Sequence, residues 1–314
     1  MTQSKNKMAT RQQSIRIILC LVCTALALMF MKNSALAASL VRGGLELCAK
    51  TVIPAVFPST VLASLFISLG GGYCVGKLLS KPMHALFGIS GAGGSVLLVG
   101  WLCGFPVGAL TGASLVRRGE LGEKEFSRLM LFSNVPSPAF AVCAVGDGLF
   151  GDGRIGFLFY LFALIASFLT GIIQKMIMKP SVQELCFGAP AKTDLGAILA
   201  SAASSMLTLS ACVVFFSAFS GLLLSSLDGF LSPEVSAFIC GLFEISGGSA
   251  AAAALEGREA LAITAFIFGW SGLGVHFQII SACEGHINTP VYFLVKFLQG
   301  SFCAALCVLV LLTV

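Results

Sequence analysis

The chain has 314 residues, of which 57% are hydrophobic and only 11% charged. Soluble domains carry about 25% charged residues, so this composition excludes an ordinary soluble fold and indicates a polytopic membrane protein. The net charge of +5 does not point to nucleic acid, because the Lys and Arg residues fall in short segments between apolar runs, where they set orientation.

The stretch 1–16 is polar and basic, and an apolar run, 17–31, follows as an N-terminal transmembrane helix running from inside to outside. Ala35-Leu36-Ala37 resembles a signal-peptidase site. A retained signal anchor is the preferred reading, and later topology is the same in either case. Residues 33–50, with Arg42, Glu46 and Lys50 among Leu, Val and Ala, predict an amphipathic helix on the outer surface. Residues 52–69 cross back, and Lys77, Lys81 and His84 follow on the inside.

Residues 89–116 are long enough to span, but a full crossing puts Arg117, Arg118, Lys124 and Arg128 outside, against the positive-inside tendency. A re-entrant hairpin resolves this, with its turn near Gly104-Phe105-Pro106 and legs too short to cross. Arg117 to Arg128 then reads as a solvated inner loop and helix start. Residues 129–146 run outward, broken between Asn134 and Pro138, and 155–174 return. An inside linker with Lys175, Lys179, Lys192 and two prolines separates the halves.

The second half repeats the plan. Residues 206–226 cross outward, and 233–256 form a hairpin with its turn near Ser246-Gly247-Gly248. Residues 260–283 run inward, broken from Ser271 to Gly274, and 290–312 cross outward with Lys296 near the inner end. The predicted fold is an all-α polytopic membrane protein: an inverted repeat with two re-entrant hairpins and two broken transmembrane helices, plus the N-terminal transmembrane helix. Its parts are 1–50 (N-terminal helix and surface helix), 51–175 (first repeat), 176–195 (inside linker) and 196–314 (second repeat). Matched interruptions in two halves are the sequence mark of a secondary transporter's binding site, since unwound backbone at membrane depth survives only where protein buries it or it lines a cavity.

The segment Val99-Gly100-Trp101-Leu102-Cys103-Gly104-Phe105-Pro106-Val107-Gly108-Ala109 resembles the YlbJ (SpoVV) family of sporulation integral membrane proteins. The likeness continues through Arg118-Gly119-Glu120-Leu121, Phe132-Ser133-Asn134 with Ser137-Pro138, and Gly269-Trp270-Ser271-Gly272-Leu273-Gly274-Val275-His276-Phe277-Gln278, and spans about 40–310. The resemblance implies nucleoside-recognition (Gate) domains and a fold related to concentrative nucleoside transporters. It implies transport of dipicolinate (pyridine-2,6-dicarboxylate) across the outer forespore membrane. Gate-domain proteins of other roles exist, so a nucleoside or other heterocycle, or a non-transporting sporulation assembly role, stays open.

The candidate substrate-binding residues are Gly104, Pro106, Ser133, Asn134, Ser137, Ser246, Gly247, Gly248, Ser271, Gly272, His276 and Gln278, centred on Asn134, Ser137, Ser246, Ser271 and His276. Amide-rich hairpin tips suit a dicarboxylate, with Phe105 or Trp270 over the ring, and no Lys or Arg is placed at mid-membrane depth. For Ser133, Asn134 and Ser137 the alternative is that they only re-satisfy the kinked helix. For Ser246 to Ser249 it is close helix packing, and for His276 a satisfied core histidine. Glu244 is the one acid placed deep in the membrane and the candidate coupling residue, a structural hydrogen bond being its alternative. The twelve cysteines read as small buried hydrophobes. No catalytic constellation, metal cluster or cofactor motif is found, so no enzyme activity, metal or cofactor is expected. The expected partners are the lipid bilayer and a small-molecule substrate, with a homo-oligomer left open.

Overall fold

The structure is a computed structural model that describes residues 23–178, 194–255 and 257–313, with isolated positions before Cys23. Most of the expected inside linker and the basic residues Lys5, Lys7 and Arg11 lie outside the described residues. Among the described residues every regular element is helical.

Helix α1 (Cys23–Lys32) turns through 99° into α2 (Ser34–Leu47), which continues through a π-helical turn, Cys48–Val52. Helix α3 (Ile53–Ser68) meets α4 (Gly71–Phe87) at 80°. Lys77, Lys81 and His84, expected on the inside, lie exposed on α4, whose other face buries Gly72, Gly76, Met83 and Phe87. That i, i+4, i+11, i+15 spacing is an amphipathic stripe, hidden in the sequence by the preceding glycines and by Pro82.

The first hairpin is α5 (Gly91–Cys103) and α6 (Val107–Arg117), with its turn at Gly104–Pro106. Its legs touch backbone to backbone, since a Cβ on Gly108 would meet Gly100 Cα at 2.7 Å. After α7 (Glu123–Leu129) the chain unwinds over 130–137 and resumes as a π-helical segment, Phe140–Phe150. The first broken helix is therefore less regular than expected, because Pro136 and Pro138 remove two amide donors.

Helices α8 (Gly153–Ile177) and α9 (Leu195–Ser226) follow. The second hairpin is α10 (Pro233–Phe243) and α11 (Ile245–Ala253). Its turn is at Glu244, so the expected turn residues Ser246, Gly247 and Gly248 instead form the first turn of α11. A Cβ on Gly248 would meet Gly241 Cα at 2.2 Å, the same close crossing as in the first hairpin. The second broken helix is α12 (Arg258–Trp270) and α13 (Leu273–Ala282), and α14 (Thr289–Thr313) ends the fold.

Helices α8, α9 and α14, and α12 with α13 as one unit, are each long and apolar enough to cross a membrane. The α12–α13 unit is the most enclosed, 72% buried against 28% for α14 and 33% for α9. The broken helix therefore forms the centre, and the continuous helices present side chains such as Leu207, Leu298 and Leu309 outward.

The two hairpins approach from opposite ends of the α12–α13 unit. Arg117, at the exit of the first, pairs at 2.8 Å with Glu284, just past α13. His286 and Glu123 approach to 3.4 Å at the same end. The second hairpin closes instead onto the start of α12, at Arg258. Lys50, Gly148, Leu149 and Ala250 share one cavity, so they also lie together.

The segment read as a solvated loop is in fact a corner lock. Glu125 and Arg128 on α7 are buried. Glu125 Oε1 accepts from the Ser90 amide at 2.6 Å, at the start of α5. Arg128 donates to the carbonyls of Phe87 (3.2 Å) and Gly88 (3.5 Å), at the end of α4. A carboxylate at a helix start and a guanidinium at a helix end each match the local helix dipole.

Candidate functional site: two hairpin tips on two broken helices

Each hairpin tip rests on the break of its own half. At the first, the Phe105 amide donates to the Val135 carbonyl at 3.2 Å, and a Cβ on Gly104 would strike the Ser137 nitrogen at 2.6 Å. At the second, a Cβ on Gly272 would sit 3.2 Å from Glu244 Cα. A tryptophan links hairpin and break in both halves. Trp101 Nε1 donates to Ser167 Oγ at 2.9 Å beside the Phe132 carbonyl, and Trp270 Nε1 donates to the Leu242 carbonyl at 3.0 Å.

The backbone groups freed by the first break are taken up one by one, as buried main-chain groups must be. Gln299 Nε2 donates to the Leu131 carbonyl at 3.1 Å, and Ser167 Oγ donates to that of Phe132. Lys296 Nζ donates to that of Asn134 at 3.0 Å. Ser137 Oγ accepts from the Phe140 amide at 3.2 Å. Lys296 was expected near the inner end of its span and no cation was expected at depth. It does lie near the start of α14, but its side chain is 1% exposed and faces the bundle instead of solvent. The signal that could have found it is the apolar sequence around it, Val291 to Val295 and Phe297-Leu298, which offers no loop for a solvated lysine. Gln299 was missed for the same reason.

At the second break Ser271 holds φ of +79°, the left-handed region that side chains rarely adopt, and Gly272 follows at +84°. Glu244 is 2% exposed. Its carboxylate accepts from the amides of Ser246 (2.9 Å) and Gly247 (2.5 Å), capping α11. His276 is fully buried, its Nδ1 2.9 Å from Tyr292 Oη and its ring 4.4 Å from that of Trp270.

Between the tips lies a small cavity lined by Phe105, Ser137, Glu244, Ser246, Gly274 and Gln278, and closed by apolar residues that include Val52 and Leu209. Both hairpins and both broken helices thus contribute to one space. Its volume of about 30 Å³ is that of one water, far below the 300 Å³ or more of ordinary ligand pockets. Ser133, Asn134, Ser271 and His276, expected at the substrate, do not line it. Ser133 Oγ, Asn134 Oδ1, Ser271 Oγ and His276 Nε2 are nevertheless buried without a hydrogen-bond partner among the described residues. A second cavity, about 670 Å³, shares Phe140 and Ser246 with the first and extends to Lys50, Thr51 and Leu149.

The chain is similar to the sporulation integral membrane protein YlbJ of Bacillus subtilis, at 27% identity covering 84% of this chain and 74% of that protein. No model of a known protein family matches the chain. No solved structure matches it.

Proposed function

We propose that this chain belongs with YlbJ and is a secondary transporter of a small aromatic dicarboxylate, dipicolinate, acting in sporulation at the outer forespore membrane. The observation that carries this reading is the convergence of two hairpin tips and two broken helices on one cavity. Opposed hairpins entering from the two ends of a central unit suit alternating access, in which the halves rock about a fixed site. The halves are then inverted repeats with the boundaries given above, and kinship with Gate-domain proteins and nucleoside transporters is part of the same proposal.

The inner cavity holds about one water, and Phe140 and Ser246 line both it and the larger one. The larger cavity has ligand size, and its lining includes Lys50, whose ammonium pairs with Glu46 at 3.1 Å. Opening moves the tip at Ser246 away from Phe140, so the substrate reaches Ser137, Ser246 and Gln278. Glu244 then couples closure of the second tip to its cap. No enzymatic step is part of this function.

A second reading, a non-transporting membrane assembly protein, is favoured by one observation: Ser137, Glu244, Ser167, Lys296 and Gln299 all hold backbone groups at the first break or the second hairpin tip. Equilibrium binding of labelled dipicolinate to the purified protein, with uridine as competitor, separates the readings. Saturable dipicolinate binding that uridine does not displace supports the first. Displacement by uridine moves the substrate class to nucleosides, and the absence of binding to either favours assembly.

A further inference from the structure

Lys296 lies seven residues into α14, about 10 Å from the helix start at 1.5 Å per residue. A lysine this near a helix end ordinarily runs its flexible stem outward and keeps the ammonium in water. Here the stem crosses the bundle. Nζ donates to the Asn134 carbonyl at 3.0 Å and to Gln299 Oε1 at 2.9 Å. Gln299 is itself fixed, with Nε2 donating to the Leu131 carbonyl (3.1 Å) and Thr170 Oγ1 (2.9 Å), so its oxygen faces the lysine. Neither acceptor of the ammonium is an acid, and among the described residues no ion pair includes Lys296.

The ammonium therefore sits among neutral oxygens where the first broken helix unwinds. Carbonyls at such a point, with an amide oxygen beside them, form the donor set by which broken membrane helices hold small cations. A buried charge without an acid partner costs several kcal/mol, and membrane interiors tolerate one only where it serves a purpose. Simple space filling does not supply one, since a methionine has nearly the same length and no charge.

We propose that the Lys296 ammonium is a resident cation: tethered to the chain, it occupies a carbonyl site at the first break that an alkali cation would otherwise take. The break is then held from the second half of the molecule without any free ion, and the chain takes neither Na⁺ nor K⁺ there. This holds whether or not the chain transports dipicolinate, so its test uses no flux.

The test is thermal unfolding of the full-length protein in lipid nanodiscs, in sodium, potassium, choline or methylammonium chloride at matched ionic strength. The parent is expected to melt at one temperature in all four. Lys296→Ala is expected to melt lower in choline and to recover about 3 °C or more, roughly 1 kcal/mol, in at least one of the small cations. Lys296→Ser carries the same comparison if the alanine variant does not fold. A parent stabilised by Na⁺ or K⁺ over choline overturns the proposal. So does a variant indifferent to every cation, or the failure of both variants to fold even when produced with methylammonium present.

Discussion

The ammonium of Lys296 lies 3.0 Å from the main-chain oxygen of Asn134, joining the last helix of the second half to the break of the first. With Gln299 on the Leu131 carbonyl and Ser167 on that of Phe132, side chains from α14 and α8 receive the unwound strand residue by residue. The break is thus a constructed element, and its neighbours have measurable roles.

Gln299→Leu is expected to destabilise the protein by about 1–3 kcal/mol, because it strands the Leu131 carbonyl and takes one acceptor from Lys296. Leu298→Ala, one residue away but 57% exposed, is expected to fall near the parent. Melting temperatures of the two variants in nanodiscs check this; equal losses would show that the polar network is not what holds the break.

Gly248→Ala is expected to abolish most folded protein, since its Cβ would sit 2.2 Å from Gly241 Cα, which belongs to backbone and cannot swing aside. Gly43→Ala, with nothing within 4 Å, is the matched control and is expected to be neutral or slightly stabilising. The monodisperse fraction after size-exclusion chromatography reads both.

Glu244→Gln is expected to lower substrate flux several-fold while costing only about 1 kcal/mol in stability. One amide oxygen replaces two carboxylate oxygens, so part of the α11 cap remains. Flux and melting temperature measured on the same preparation separate coupling from capping. A flux equal to the parent's would make Glu244 a cap and nothing more.

The opposed hairpins predict a labelling pattern. In a cysteine-free background, Arg118→Cys and Glu284→Cys are expected to react with an impermeant maleimide from one face, and Glu259→Cys from the other. Glu259 reacting from the same face as Arg118 would contradict the opposed arrangement.

The architecture was largely legible in the sequence because its signals are local. Gly104-Phe105-Pro106 marks a turn, Pro136 and Pro138 mark a break, and Ser271-Gly272 marks a second, each inside an apolar run. What the sequence did not disclose depends on contacts between distant residues. The turn of the second hairpin moved to Glu244 because a carboxylate that caps two amides can end one helix and start the next. Glu125 and Arg128 read as surface charges, yet they cap helix ends that begin 35 and 41 residues away. Lys296 read as an inner anchor by the positive-inside tendency, which has no term for an acceptor 162 residues distant. Of the candidate site, Ser137, Ser246 and Gln278 meet in one cavity, whereas Asn134, Ser271 and His276, grouped with them because the interruptions match across the two halves, do not line it.

The central claim is transport, and the most direct test is uptake into proteoliposomes of labelled dipicolinate beside labelled uridine. The account predicts protein-dependent, saturable dipicolinate uptake at least several-fold above empty liposomes, reduced by Ser246→Val at unchanged protein incorporation, with uridine uptake at background. Dipicolinate accumulation no greater than in empty liposomes, from protein shown to be folded and inserted, would contradict it.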